Sequence, residues 1–166
     1  VATNGELFVS DQTYNFSTGI ASGPVKRFDA AGVYVGEVIA SGSDGLAGPT
    51  GLAVSGSSLI TASIMNGSVL QTDLVSGFTQ AAPVVGPFEI GAIALLADGN
   101  LLAGSPSGSG SIYRIDTATW TVVDTFPSGL GQIGGIAAVA VPEPTSLASA
   151  LAALGVGWLM LRSRRT

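Results

Sequence analysis

The stretch Leu59-Ile60-Thr61-Ala62-Ser63, at residues 59–63, decides the fold because similar segments occur twice more in the chain. A polar, glycine-bearing loop follows it and leads to Val69-Leu70-Gln71-Thr72-Asp73, at residues 69–73. The first segment has counterparts at residues 7–11 and 101–105, and the second at 25–29 and 112–116. Short apolar and β-branched runs bounded by turn residues indicate β-strands. The chain is therefore predicted to repeat one β-unit.

The repeat has the length of a four-stranded unit. Its second segment ends in aspartate at positions 29, 73 and 116, a spacing of 44 and then 43 residues. A third predicted strand follows each aspartate, at 33–39, 78–85 and 121–126, and a small-residue strand closes each unit, at 51–54, 92–95 and 135–138. Four strands in 40–45 residues are typical of a β-propeller blade, with the small-residue strand innermost.

The predicted fold class is thus all-β, with about three propeller-like blades across residues 1–140. Closed propellers have roughly four to eight blades, so three units predict an incomplete propeller. The chain opens on what should be the second strand of a blade and ends on a first strand, from Gly135 to Val141. We therefore expect that an N-terminal portion is missing; assembly of incomplete propellers is the alternative.

The three repeated aspartates have two interpretations. Aspartate at a strand end, followed by Ala-Ala-Gly or Thr-Ala-Thr, is typical of turns, because its carboxylate accepts hydrogen bonds from nearby backbone amides. A ring of metal ligands is the less favoured interpretation. Calcium could also bind loop oxygens, for which the candidates are Asp11, Asn15, Asp44 and Asn66. These four lack the dense Asp-x-Asp spacing of a calcium loop, so no metal site and no cofactor is predicted.

Composition excludes several kinds of active site. The chain has no cysteine and no histidine, which removes disulfides, thiolate nucleophiles, Ser-His-Asp triads and zinc sites built on imidazole or thiolate. Three glutamates could act as acids or bases, but the sequence does not place any two of them together: Glu6, Glu37 and Glu89. No catalytic residue is predicted.

The charge distribution argues against nucleic acid as a partner. Residues 1–141 contain Lys26, Arg27 and Arg114 against ten carboxylates, a net charge of −7, within a chain of net charge −5. Nucleic-acid binding depends on cations that follow the phosphate backbone, and three scattered cations cannot form such a stripe.

The C-terminal region predicts a membrane anchor. Residues 145–161 are 17 residues without a charge, which as a helix would span about 25 Å, slightly less than the hydrocarbon core of a bilayer. Residues 162–166 follow as a basic tail with Arg162, Arg164 and Arg165, a stop-transfer pattern. The positive-inside rule places these arginines in the cytoplasm and residues 1–141 outside.

Residues 141–144 contain Pro142, Glu143 and Pro144, directly before this helix. The prolines favour an extended segment that a processing enzyme could dock. The motif, helix and arginine cluster together resemble the PEP-CTERM sorting signal that exosortases recognise in Gram-negative bacteria. The resemblance covers residues 142–166 and implies export, transient anchoring in the inner membrane, cleavage near the motif, and release or attachment at the cell surface. It also implies an exopolysaccharide and biofilm setting.

A second resemblance concerns the repeat itself. Residues 48–54, 59–63 and 69–73 resemble an NHL-type propeller repeat, as does the first unit from Gly5 to Asp29. The third unit lacks the Pro-x-Gly lead-in and is interpreted as a diverged copy.

Two functions follow from these observations. The favoured one is a non-enzymatic surface protein whose propeller-like domain binds an extracellular polymer, such as exopolysaccharide, or another protein. The alternative is a propeller-type hydrolase or lyase that acts on a lactone or glycan, with some catalytic residues outside this chain. The lack of histidine and of a ring of acids across the three units favours binding.

Overall fold

The computed structural model describes residues 5–82, 89–106, 110–127, 129 and 131–138. In that part of the chain thirteen strands form three antiparallel sheets and one hairpin. The first sheet has the order β1-β4-β5, the second β6-β7-β8-β9 and the third β10-β11-β12-β13. The bounds are β1 Leu7–Ser10, β2 Thr13–Asn15, β3 Ile20–Ser22, β4 Val25–Phe28, β5 Tyr34–Ile39, β6 Pro49–Ser55, β7 Ser58–Ser63, β8 Ser68–Asp73, β9 Thr79–Ala82, β10 Ala92–Leu95, β11 Leu101–Gly104, β12 Ser111–Asp116 and β13 Thr121–Pro127.

The all-β prediction, with repeated four-stranded antiparallel sheets, is confirmed. The second and third sheets each contain four strands, with the small-residue strands β6 and β10 at one edge. These strands begin their sheets and do not close the preceding unit as predicted, because β6 pairs with β7 and β10 with β11. In the described residues the first sheet has three strands, because the strand at 51–54 that was predicted to close it pairs with β7 of the second sheet.

The prediction of a strand at Gly135–Ala138 is wrong. Residues 132–138 have no regular secondary structure. A strand requires a hydrogen-bonded neighbour, and residues 135–138 pair with none of the described strands.

A hairpin that the repeat did not predict joins β1 to β4. Its strands, β2 and β3, pair from Thr13↔Ser22 to Asn15↔Ile20. The Asn15 side-chain oxygen accepts hydrogen bonds from the amides of Ser17 and Thr18, at 2.9 and 3.2 Å, which fixes the turn. Phe16 lies in the turn at the tip of this hairpin, where it is 91% exposed. Its ring packs edge-on against the ring of Tyr14.

The hydrophobic core consists of two layers, one on each face of the second sheet. Because successive side chains of a strand point to opposite faces, Leu59 and Leu70 pack against the first sheet, with Val25 and Ile39. The opposite face contributes Ile60, Ala62 and Val69 to a layer that continues into the third sheet, with Leu101, Ala103 and Ile115. The second sheet is therefore covered on both faces.

The small-residue strands bring neighbouring sheets together. β6 contacts both β1 and β10. At Gly51 a Cβ atom would lie 2.7 Å from the backbone nitrogen of Ile93, a distance that real Cβ atoms do not adopt. Glycine is needed here because the backbones of β6 and β10 approach too closely for a side chain.

The predicted sorting motif, helix and basic tail lie outside the described residues, as do residues 139–140. Within the described ranges, no helix has the length and apolar composition needed to cross a bilayer.

Candidate binding clefts beside Asp73

The turn after β8 is organised by the Asp73 carboxylate. One oxygen, Oδ1, accepts hydrogen bonds from the backbone amides of Val75 and Ser76, both at 2.8 Å. These bonds favour the ionised form, so the amides of Ser76 and Val75 hold the pKa of Asp73 below its usual value of 3.8. Asp73 is therefore an anionic hydrogen-bond acceptor at neutral pH.

A turn organised by an aspartate carboxylate occurs in all three sheets, although after Asp29 the second amide is four residues on rather than three. Asp29 Oδ1 accepts bonds from the amides of Ala31 and Val33, at 2.9 and 2.8 Å. Asp116 Oδ1 accepts from Thr119 and Ala118, and these two bonds lower the pKa of Asp116. The prediction that the repeated aspartates are turn residues is confirmed.

The first cleft, of about 220 Å³, lies between the outer strand of the first sheet and the Asp73 turn of the second. Its polar side chains are Arg27, Glu37 and Asp73, and the other lining residues are Val35, Gly36, Val38, Leu74 and Gly77. Arg27 is held by Glu6, with 2.9 Å between Arg27 Nε and Glu6 Oε1. The cleft thus offers a fixed guanidinium and two carboxylates beside an apolar wall.

The second cleft, of about 230 Å³, lies on the other side of Asp73 and is lined by the amide side chains of the second sheet. Gln80 Nε2 donates to Gln71 Oε1 at 3.3 Å, and Gln71 Nε2 donates to Ser58 Oγ at 3.2 Å. Phe78 completes the lining with a ring that is 64% exposed. β7 and β9 each contribute one polar side chain to this cleft, Ser58 and Gln80, and β8 contributes Gln71 and Asp73.

Together the clefts suit a hydroxyl-rich ligand. Amides and carboxylates bind hydroxyl groups through directed hydrogen bonds, and an exposed aromatic ring offers an apolar face beside a polar edge. Because Asp73 lines both clefts, a chain-like ligand could pass from one to the other across its side chain. Both are open surface clefts.

Three of the four calcium candidates, Asp11, Asn15 and Asn66, have side chains engaged in other contacts. Asp11 pairs with Lys26, and hydrogen bonding to Asp11 raises the pKa of that lysine. Asn66 Nδ2 donates to the carbonyl of Gly45 at 2.8 Å. Asp44 lies in the short 3₁₀ helix Ser43–Gly45 with a φ of 52°. Throughout the described ranges, no three His, Cys, Asp or Glu side chains converge as metal ligands would.

The three candidate glutamates are not brought together. Glu6 binds Arg27, Glu37 lines the first cleft, and Glu89 is exposed before β10. The sequence did not predict that Glu37 and Asp73 would line the same cleft. It also did not predict the hydrogen bond between Gln71 and Gln80. A polar residue two positions before each strand-end aspartate was the available signal for Gln71.

Pro142, Glu143 and Pro144, with Arg162, Arg164 and Arg165, lie beyond the described residues.

Comparison with known proteins supports the fold. No protein-family profile and no curated protein match the sequence. The structure of Kuenenia stuttgartiensis hydrazine synthase is similar, with a TM-score of 0.55 and 19% identity over 75% of this chain and 37% of that one. The extracellular domain of BT4673 from B. thetaiotaomicron has a TM-score of 0.49 and 15% identity over 80% and 19% of the two chains.

A third structure, the β-propeller domain of Cps50 (Swd1) from Myceliophteria thermophila, has a TM-score of 0.35 and 16% identity, over 78% of this chain and 60% of that domain. At 19% identity the likeness to hydrazine synthase concerns the fold alone. The present chain spans about a third of the hydrazine synthase chain. It is a β-propeller-like, all-β protein built from four-stranded antiparallel sheets.

Replacement of Asp73 tests the role of the turn. Asp73→Ala removes both backbone hydrogen bonds, so we expect a lower melting temperature at neutral pH. Asp73→Asn keeps an oxygen acceptor but loses the charge. Because the folded-state pKa is lowered, the carboxylate stabilises the protein above about pH 4, and this contribution is lost as the pH falls through the folded-state pKa.

Melting temperatures from pH 7 to pH 2.5 measure this effect, with Glu89→Gln as the control for removal of an exposed carboxylate. The difference between wild type and Asp73→Asn should shrink below about pH 4. A difference that stays constant over the whole range would contradict the role given to the carboxylate.

Proposed function

We propose that this chain is a bacterial surface protein whose propeller-like domain binds a neutral, hydroxyl-rich extracellular polymer through the two clefts beside Asp73. The observation that carries the proposal is the adjacent placement of the Gln71–Gln80 amide row, the exposed Phe78 ring and the ionised Asp73 carboxylate. An exopolysaccharide has the matching chemistry, because its sugar rings present hydroxyl groups at their edges and apolar patches on their faces.

The charge of the domain favours a neutral polymer over an acidic one. Residues 1–141 have a net charge of −7, and like charges oppose association. The guanidinium that lines the first cleft is already paired with Glu6, which reduces its attraction for an anion. Recognition then depends on hydrogen bonds and contact with the Phe78 ring.

The contacts of Asp73 argue against one of the two carboxyl roles that hydrolysis needs. A glycosidase of the usual kind needs one carboxyl group that is protonated at the working pH and a second that is ionised. Asp73 shares the first cleft with Glu37, but its lowered pKa keeps it ionised and its Oδ1 is engaged by the turn amides. It is therefore poorly suited to donate a proton. Hydrolase or lyase action on a lactone or glycan is the alternative that the binding assay also tests.

The proposal includes export and processing. The PEP-CTERM-like residues 142–166 would direct the chain through the inner membrane, with an exosortase as its processing partner. Pro142, Glu143 and Pro144 would be the recognised motif, and Arg162, Arg164 and Arg165 would hold the anchor in the membrane. Cleavage near the motif would leave the sheets and their clefts intact at the cell surface.

Variants of the second cleft test the binding proposal. We expect Phe78→Ala and Gln80→Ala each to weaken the binding of dextran, a neutral glucan, about tenfold, which corresponds to roughly 1.4 kcal/mol. Affinity electrophoresis of the full chain in detergent measures the change, with alginate as the acidic polymer. Phe16→Ala is the matched control, because Phe16 is also an exposed aromatic residue but lies in the β2–β3 hairpin.

Equal loss in Phe16→Ala, or no loss in the cleft variants, would remove the clefts as the binding site. New reducing ends or unsaturated ends in the glucan after incubation would instead support the hydrolase or lyase.

The processing proposal predicts a shortened mature form. In a Gram-negative host that has an exosortase, we expect mass spectrometry of the surface form to lack residues 150–166. Glu143→Ala should accumulate as a membrane-bound precursor, because the motif that the enzyme docks is altered. Asp124→Ala, a carboxylate removal on β13, is the control and should be processed normally. A mature surface form that still carries residues 150–166 would contradict the proposal.

A further inference from the structure

The turn between β7 and β8 contains the dipeptide Asn66-Gly67. The Asn66 side chain makes two hydrogen bonds there. Its nitrogen Nδ2 donates to the Gly45 carbonyl at 2.8 Å, and its oxygen Oδ1 accepts from the Ser68 backbone amide at 3.2 Å. The first bond ties the 3₁₀ helix Ser43–Gly45 to this turn. Asn66 therefore links the turn to a loop that precedes the second sheet.

The same turn folds the Asn66 side chain back towards the backbone of Gly67. A hydrogen bond from the amide two residues on is the mark of an Asx turn, in which the side chain lies over the intervening peptide bond. The side-chain carbonyl carbon is then beside the Gly67 nitrogen, and a bond between these two atoms closes a five-membered ring. Gly67 has no Cβ that could obstruct the ring.

Two further features favour attack by the Gly67 nitrogen. The Ser68 amide that donates to Oδ1 stabilises the negative charge that develops on this oxygen when the carbonyl carbon is attacked. The Gly67 amide donates a hydrogen bond to no atom of the described residues, so no bond within those ranges has to break before the nitrogen reacts.

Asn15 provides a comparison within the same chain. Its Oδ1 accepts the same kind of bond, from the backbone amide of Ser17 at 2.9 Å. The residue that follows Asn15 is Phe16, whose side chain hinders ring closure at its own backbone nitrogen. The chain therefore contains a matched turn that has the hydrogen bond and lacks the glycine.

We propose that Asn66 is a site of spontaneous deamidation. The Gly67 nitrogen loses its proton to solvent base and bonds to the Asn66 side-chain carbonyl carbon. The bond from that carbon to Nδ2 breaks, and the amine takes up a proton and leaves as ammonia. Water then opens the cyclic imide at either of its two carbonyl groups. One opening gives aspartate, and the other gives isoaspartate, in which the main chain continues through the former side chain.

The conversion removes the link between the turn and the preceding loop. Either product replaces the Nδ2 donor with a carboxylate, which accepts hydrogen bonds but donates none when ionised. Two acceptors then face each other at the Gly45 carbonyl, so we expect the helix Ser43–Gly45 to loosen. Asp44 in this helix has a φ of 52°, in the left-handed region, which gives the helix little stability of its own.

The deamidation site is separate from the two clefts. Asn66 precedes β8, whereas Asp73 ends this strand of six residues. A strand rises about 3.3 Å per residue, so the two side chains are on the order of 20 Å apart. Deamidation at Asn66 and polymer binding beside Asp73 are therefore independent of each other.

Peptide mapping by mass spectrometry tests the site. The full chain is incubated in detergent at mildly acidic and at mildly alkaline pH, and the acid formed at positions 66 and 15 is measured over time. We expect conversion at Asn66 to be at least about tenfold faster than at Asn15, which corresponds to a barrier lower by roughly 1.4 kcal/mol. The rate should rise with pH, because base removes the Gly67 amide proton. Asn66→Gln is the control and should stay unmodified, since its longer side chain would have to close a six-membered ring.

Two further readouts test the chemistry and its consequence. Enzymatic methylation of isoaspartate should detect this product beside aspartate, because the cyclic imide opens both ways. Hydrogen exchange at the Leu46 amide, which donates to the Ser43 carbonyl at 2.8 Å, reports on the loop. It should be faster in Asn66→Asp than in wild type, and unchanged in Asn15→Asp. Equal conversion at the two asparagines, aspartate without isoaspartate, or unchanged Leu46 exchange in Asn66→Asp would overturn the proposal.

Discussion

The second sheet buries Leu59 and Leu70 on one face and Ile60, Ala62 and Val69 on the other. This double burial depends on the two-residue alternation of β7 and β8, which supplies an apolar side chain to each face in turn. A fully buried leucine or valine contributes on the order of 1.5–3 kcal/mol relative to its exposed state. Both neighbouring sheets use this sheet as their packing surface, so their positions depend on it.

The spacing between sheets sets the geometry of the candidate site. Gly51 allows β6 and β10 to approach closely, and the inner strands can therefore crowd together while the outer strands diverge. The clefts lie at outer positions, between β5 and the Asp73 turn and along the amide row of β8 and β9. The turn hydrogen bonds of Asp73 keep its carboxylate ionised where the two clefts meet. The binding proposal thus follows from the same repeat that builds the core.

Much of the fold could be predicted from the sequence because the repeat is carried by local patterns. The aspartate positions and the apolar strands recur in each unit, and both depend on neighbouring residues. The β2–β3 hairpin was not predicted, because it occurs in one unit and periodicity cannot reveal a single insertion. The strand at Gly135–Ala138 was predicted wrongly, because its sequence fits a strand but it pairs with none of the described strands.

The candidate site was less predictable. The paired clefts combine Arg27 and Glu37 of the first sheet with Asp73 of the second, and a single sequence does not reveal such long-range neighbours. The Gln71–Gln80 contact depends on strand register, which the repeat length alone does not determine. The loop residues considered for calcium were identified by type, and in the structure the side chains of Asn15 and Asn66 make hydrogen bonds while that of Asp11 forms an ion pair.

Native-state hydrogen exchange tests the central claim most directly, because amides of a sheet covered on both faces open only with larger unfolding events. Backbone amides of β7 and β8, at Leu59–Ala62 and Val69–Leu70, should exchange more slowly than those of the outer strands β5 and β13. Exchange in β7 and β8 as fast as in β5 and β13 would contradict the account, since the second sheet would then not be the packing centre.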